Sequence, residues 1–350
     1  MSTRILKAEP LGLRVVQDGE GPDVLLIGGL ADDTTVWDAQ VATLAHSFRV
    51  TRFDAPGIPG APTPPGPYTL EGLVAAALAV LDAAGIERAH VVGTSLGGVI
   101  AQQLAIHHAD RVASITLAAT WARADRALRA VFSTWRWAAD QGGSIADVLQ
   151  LTYTSTYAAA AWNSGSVDRR LVDAEAAALR AGRPGSQAAR QGFTWTAWAA
   201  LQHDATDELP HVHVPALIII GARDLVLGPD HGRQLAALLS DSRLEVVPDA
   251  GHRPFEEQPA ACNDLLGHFL ERNSLGMRWL HEPVDCAPTP LADRVPGIGV
   301  QRTRLRIGST PCNKIKSISI IQIDAAPRVP GQPRPVVGTL ATDRPIAGVV

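Results

Sequence analysis

Cysteine is scarce: three residues, Cys262, Cys286 and Cys312, in a chain of 350. They are too few and too scattered for a disulfide framework, and they lack zinc-ligand spacing. A strong excess of one charge is also missing. The 31 Lys and Arg against 35 Asp and Glu leave a formal net charge of −4, which offers no electrostatic footprint for nucleic acid or an anionic membrane surface. No apolar run approaches the roughly 18 residues of a membrane helix, and residues 1–13 lack the apolar core of a signal peptide. Internal repeats are absent. These absences predict a cytoplasmic protein with no membrane or nucleic-acid partner and no metal or cofactor, and they leave the oligomeric state open. What is present is ordinary for a globular protein with a sizeable core: 46% hydrophobic and 19% charged residues.

The first 272 residues alternate short β-branched runs with longer helical patterns. Strands are predicted at residues 13–17, 24–28, 48–54, 89–93, 112–118, 216–221 and 243–248. Helices are predicted at 35–45, 69–84, 96–107, 230–239 and 255–271. Runs such as VLLIGG and ALIIIG are apolar without alternation, as parallel strands are when helices cover both faces. The repeated strand–helix units predict an α/β fold, a doubly wound and mostly parallel sheet built from residues 1–120 and 206–272. Between them, residues 121–205 are alanine-rich and helical in pattern, and they hold six of the eight tryptophans. This stretch is predicted to be a helical cap over the carboxyl edge of the sheet. Residues 273–350 differ again, with ten of the 25 prolines and ten Lys and Arg against five Asp and Glu. That composition predicts a disordered or loosely attached tail.

The strongest local signal is HVVGTSLGGVIAQQLA, with G-x-S-x-G at Gly93, Ser95 and Gly97 between an apolar strand and a helical pattern. In that context the serine sits on a sharp strand-to-helix turn, with its Oγ exposed above the sheet and the Leu96 N–H beside it. The helix N-terminus there favours negative charge. A second donor for an oxyanion is expected from the loop after an earlier strand. VLLIGGLADD supplies one as the Leu30 N–H. The acid and base should follow in chain order. VPALIIIGARDLV places Asp224 after a strand, and RLEVVPDAGHRPFEEQP places His252 after the next. Both then fall on the same sheet edge as Ser95. His252 would act as general base and Asp224 would orient it. Asp249 is a weaker acid candidate, too close in sequence to His252, and Asp230 is expected to cap its helix. His107 and His108 end a helix, His211 and His213 lack a third metal ligand, and His203 reads as structural.

Together these motifs resemble the α/β-hydrolase superfamily, over roughly residues 13–272. Gly28-Gly29-Leu30, RFDAPG at 52–57, GTSLGG at 93–98, GARD at 221–224 and GHRPFEEQP at 251–259 arrive in the order typical of that superfamily. The similarity is strongest to 3-oxoadipate enol-lactonase-like hydrolases and small carboxylesterases, with cofactor-free haloperoxidases nearby. It implies ester or lactone hydrolysis on a small molecule through an acyl-serine, with a helical cap over the site. Perhydrolysis by the same triad and a non-enzymatic receptor role are the alternatives. Three features depart from the family: Gly28 stands where many members carry His, Pro56, Pro59 and Pro62 interrupt the loop after Asp54, and the tail has no counterpart. Ser95 argues against the dehalogenase and epoxide hydrolase branches, which use a carboxylate there. Arg123, Arg126, Arg129 and Arg136 recur at helical spacing, as on a solvated face. One of them turned inward could pair with a substrate carboxylate.

Overall fold

The computed structural model describes residues 3–274, apart from 59, 60, 143 and 181 and the side chains of 177–186. The proline-rich tail, including Cys286 and Cys312, lies outside the described residues. Eight strands form one sheet: β1 (Thr3–Ala8), β2 (Leu13–Asp18), β3 (Asp23–Ile27), β4 (Arg49–Phe53), β5 (Ala89–Thr94), β6 (Val112–Ala118), β7 (Ala216–Gly221) and β8 (Ser242–Val247). Their order is β1-β2-β4-β3-β5-β6-β7-β8. The β1–β2 and β2–β4 pairs are antiparallel and all others are parallel.

The parallel strands show why they lack alternation. On β3, Leu25 and Ile27 enter one buried cluster while Val24 and Leu26 enter the other. On β7, Ala216, Ile218 and Ile220 divide in the same way from Leu217 and Ile219. Side chains on successive residues point to opposite faces, so a strand covered on both faces must be apolar throughout. One face is covered by α1 (Asp38–Leu44) and α11 (Pro259–Ser274), through Val41, Leu44, Leu266 and Phe269. The other is covered by α2 (Leu70–Ala83), α3 (Leu96–His107) and α9 (Gly228–Leu238), through residues such as Leu81, Leu104 and Leu235. Each fully buried Leu or Ile contributes about 1.5–3 kcal/mol.

Among the described residues, five α-helices lie between β6 and β7: α4 (Arg126–Asp140), α5 (Ile145–Thr156), α6 (Ala159–Asn163), α7 (Ser166–Arg180) and α8 (Gly182–Leu201), followed by a 3-10 turn at Leu209–His211. The local sequence starts two of them clearly. Asp125 accepts from the Leu128 N–H at 2.7 Å ahead of α4, and Ser144 and Asp147 close a reciprocal capping box ahead of α5.

Several boundaries differ from the sequence pattern. β1 was not predicted, because it is an edge strand whose Ile5 is 67% exposed, so no apolar face marks it. The helix expected at 255–271 is two: α10 (Pro254–Glu257) and α11, broken at Gln258 because Pro259 lacks an N–H and disfavours helical backbone in the residue before it. The helix expected from 35 begins as a 3-10 turn, Thr34–Trp37, N-capped by Asp33. Asp230 does not cap α9: Leu227 holds that position, and Asp230 pairs with Arg233 one turn on. Among the described residues, no helix is long and apolar enough to cross a membrane, and no group of three metal-ligating side chains converges.

Candidate active site

The site forms where β5 turns into α3. Ser95 has φ 53° and ψ −115°, a left-handed conformation unusual for a residue with a Cβ. The turn is tight enough that its glycines are obligatory. A Cβ on Gly93 would lie 2.1 Å from the Gly97 carbonyl oxygen, and one on Gly97 would lie 2.1 Å from that of Ile27. Hydrogen bonds fix the strained backbone: Ser95 N–H donates to Ala118 O at 2.8 Å, and Ser95 O accepts from Thr120 Oγ1 at 2.7 Å and from the Gly98 and Val99 N–H groups at 3.0 and 3.2 Å. The Ser95 hydroxyl caps nothing in α3, so it is available elsewhere.

Its partner is His252, on the loop after β8. His252 Nε2 lies 3.0 Å from Ser95 Oγ, and its Nδ1 lies 2.8 Å from Asp224 Oδ2. Asp224 is on the loop after β7, where its Oδ1 accepts from Val226 and Leu227 N–H at 2.8 and 3.0 Å. A carboxylate can only accept, so Nδ1 carries the proton and Nε2 is left to accept from the serine hydroxyl. All three residues are buried. Burial alone would raise the Asp224 pKa. The neighbouring imidazole and the two backbone donors outweigh it and hold the group below its ordinary value, so Asp224 stays ionised. The loop bearing His252 is tied down by Glu257, whose carboxylate accepts from the N–H groups of Gly251, Arg253 and Ala158 at 3.0, 3.2 and 2.9 Å.

The structure thus brings Ser95, Asp224 and His252 together. Leu30 and Gly29 line the same cleft, and Leu96 opens α3 beside Ser95. The other sequence candidates lie elsewhere. Asp249 is exposed and pairs with Arg223 at 2.6 Å. His211 and His213 are both exposed. His203 is buried against Gln102 Oε1 at 3.1 Å. Arg123, Arg126 and Arg129 are exposed, and Arg136 lies over the Trp198 ring at 4.9 Å.

The cleft is walled by Leu30, Val36, Trp37, Trp135, Phe193 and Phe255, with Thr152 and Thr156 as neutral polar groups. Of the six tryptophans in 121–205, only Trp135 reaches it. Its charged lining was missed in the sequence: Arg253, Asp32 and Glu256. Arg253 Nη1 lies 2.7 Å from both Asp32 Oδ1 and Glu256 Oε1, and its guanidinium sits 5.0 Å from the rings of Tyr153 and Tyr157. Glu256 Oε2 accepts from Tyr157 Oη and from Arg170 Nε, both at 2.9 Å. Arg170 Nη1 donates to Thr35 Oγ1 at 2.7 Å. Burial would raise the Glu256 pKa, but Arg253 and Arg170 hold it below the usual carboxylate range. A charged residue after a histidine has no distinguishing pattern, and the partners of Arg253 include one 221 positions away, so no sequence signal marked it.

The chain belongs to the alpha/beta hydrolase fold family, whose sequence model matches residues 22–259. Within it, the similarity runs to the enol-lactonase-like branch. It is 27% identical to 3-oxoadipate enol-lactonase 2 of Acinetobacter baylyi, over 76% of this chain and 96% of that one. It is 30% identical to RutD of a Caulobacter species, which is named as a proposed carbamate hydrolase, over 71% of this chain and 90% of that one. The crystal structure of the enol-lactonase from Burkholderia xenovorans matches with a TM-score of 0.66 at 30% identity, covering 76% of this chain and 99% of that one.

Proposed function

We propose that this protein is a serine hydrolase that cleaves a carboxylic ester or lactone through an acyl-serine intermediate. The observation that carries this reading is the hydrogen-bonded chain from Ser95 Oγ through His252 to Asp224. In the first half-reaction Ser95 Oγ attacks the carbonyl carbon while His252 Nε2 takes the hydroxyl proton. The same proton then passes to the departing alkoxide oxygen, which in a lactone stays tethered to the acyl group. Water repeats the sequence on the acyl-serine, releasing the acid and restoring the Ser95 hydroxyl. Asp224 holds the imidazole in one tautomer and stabilises its cation. The backbone N–H groups of Leu30 and Leu96 are the donors to the oxyanion.

The lining narrows the substrate. Arg253 is the one guanidinium in the cleft among the described residues, and two carboxylates already face it. A substrate carboxylate would meet Asp32 and Glu256 as well, so the reading favours an uncharged acyl group over an enol-lactone with a free carboxylate. We expect kcat/KM for p-nitrophenyl butyrate to exceed that for mono-p-nitrophenyl succinate by about tenfold, equivalent to ~1.4 kcal/mol. Equal rates, or a preference for the succinate, would contradict this. The function itself is tested with p-nitrophenyl esters, methyl esters and lactones. Turnover by the wild type, with fluorophosphonate labelling that Ser95→Ala abolishes, supports it. Folded protein that neither turns over any of them nor is labelled refutes it.

A further inference from the structure

The loop after β3 carries an ionisable group that the triad chemistry leaves unused. Asp32 is buried, and its two carboxylate oxygens face different loops. Oδ2 accepts from the Gly29 N–H at 2.9 Å, while the Asp32 N–H donates back to Gly29 O at 3.3 Å. Oδ1 faces Arg253 Nη1 at 2.7 Å. Gly29 immediately precedes Leu30, and Arg253 immediately follows His252. One carboxylate therefore ties the backbone beside the oxyanion donor to the side chain of the residue beside the general base.

The local geometry needs such a tie. Ala31 has φ 62°, left-handed for a residue with a Cβ, which costs about 1–2 kcal/mol and persists only where neighbours enforce it. A Cβ on Gly28 would lie 3.0 Å from Asp32 Cβ, so the loop is wrapped closely around this side chain. A Cβ on Gly29 would lie 2.8 Å from Asp32 Oδ2 and 3.2 Å from Ser95 Cβ, so the held segment runs in contact with Ser95. A bare carboxylate here would oppose an oxyanion forming at Ser95. Arg253 removes that penalty. Burial pulls its pKa down, but Asp32, aided by Glu256 and the tyrosines, keeps it well above its ordinary value, so the guanidinium stays charged.

Resting on the hydrolase reading above, we propose that Asp32 is a positioning residue for the oxyanion loop. Through Gly29 it fixes the direction of the Leu30 N–H, and through Arg253 it locks that loop to the one carrying His252. Preorganised donors stabilise a developing charge without reorientation. Loss of the tie should therefore slow turnover far more than it weakens substrate binding.

The test uses Asp32→Asn and Arg253→Lys in the full chain. The readouts are p-nitrophenyl acetate hydrolysis, inhibition by phenylboronic acid, which forms a tetrahedral anionic adduct on a reactive serine, and Tm. For Asp32→Asn we expect kcat to fall about 10–100-fold with KM within about threefold, and the phenylboronic acid Ki to rise by the same factor as kcat falls. Arg253→Lys, which keeps the charge, should lose less than about tenfold in both. A folded Asp32→Asn enzyme with kcat and Ki within about twofold of wild type overturns the proposal, whatever its Tm. If Asp32→Asn does not fold, Arg253→Lys decides: parallel changes in kcat and Ki support the positioning role, and a lowered Tm alone overturns it. Wild type that neither hydrolyses esters nor is labelled at Ser95 overturns both readings. Active wild type with unimpaired variants overturns the positioning role alone.

Discussion

Ser95 and His252 of the chain Ser95–His252–Asp224 line the same cleft as Asp32, Arg253 and Glu256 of the cluster that Arg170 completes, but the two networks are built in different ways. The first is open at one end: Ser95 Oγ makes its hydrogen bond to His252 and caps no helix. The second is closed, with each carboxylate facing a guanidinium and Arg253 facing two carboxylates. In an open chain the imidazole can take the proton of the hydroxyl at the open end and return it, while the carboxylate behind it stays ionised. A cluster of carboxylates closed by guanidiniums is suited to holding geometry. Two buried polar networks a few residues apart are thus suited to transfer and to support.

Substitution can break this distinction. The largest effect should come from Ser95→Ala, with kcat/KM for p-nitrophenyl acetate reduced at least about 10⁴-fold and Tm nearly unchanged. Asp224→Asn should follow, at about 10³–10⁴-fold in kcat, because the amide donates to Nδ1 and turns the imidazole to the wrong tautomer. A milder loss would mean that Asp224 only packs the loop.

Acid stability separates both networks from histidines that serve the fold alone. Burial lowers the pKa of His90, which bonds Ser114 and Ser274, from 6.5 to about 4, and it does the same to His203. Below pH 6.5 the unfolded chain takes up protons that the folded chain refuses until pH about 4. Stability that is fully present above 6.5 is therefore lost as the pH falls through this window, by up to about 3 kcal/mol for each histidine. Urea midpoints measured across it should show the slope, and His90→Gln should flatten it. A slope unchanged by that substitution would remove His90 from the account.

The smallest effect belongs to Arg170→Ala, which strips Glu256 of one partner and leaves Arg253 in place. We expect a loss of about 1–2 kcal/mol in urea unfolding and less than about a threefold change in kcat/KM. A large loss of kcat with unchanged stability would move Arg170 from support into the chemistry.

Much of this architecture was legible before any coordinates. The non-alternating runs at β3 and β7 announced strands covered on both faces, and G-x-S-x-G between a strand and a helical pattern announced the turn at Ser95. Ser95, Asp224 and His252 could be picked out because each follows a strand-like run, and parallel strands deliver such residues to one edge of the sheet. β1 was not legible, because an exposed edge strand has no buried face to mark it. The break at Gln258 was legible only in hindsight, since Pro259 was outweighed by the apolar pattern running through it.

The sequence by itself determined the buried parallel strands, the sharp turn and the order of the three side chains that meet there. These follow from rules that act over a few residues: the unbroken apolar runs of strands covered on both faces and the steric demands of glycine. The tertiary structure alone decided that Arg253, and not the arginines of α4, would be the charge in the cleft. It also decided that Asp32, 221 positions away, would join Glu256, three residues on, in neutralising that charge. An ion pair between distant positions such as Asp32 and Arg253 depends on which loops the fold brings within 3 Å of one another, and no local rule carries that information.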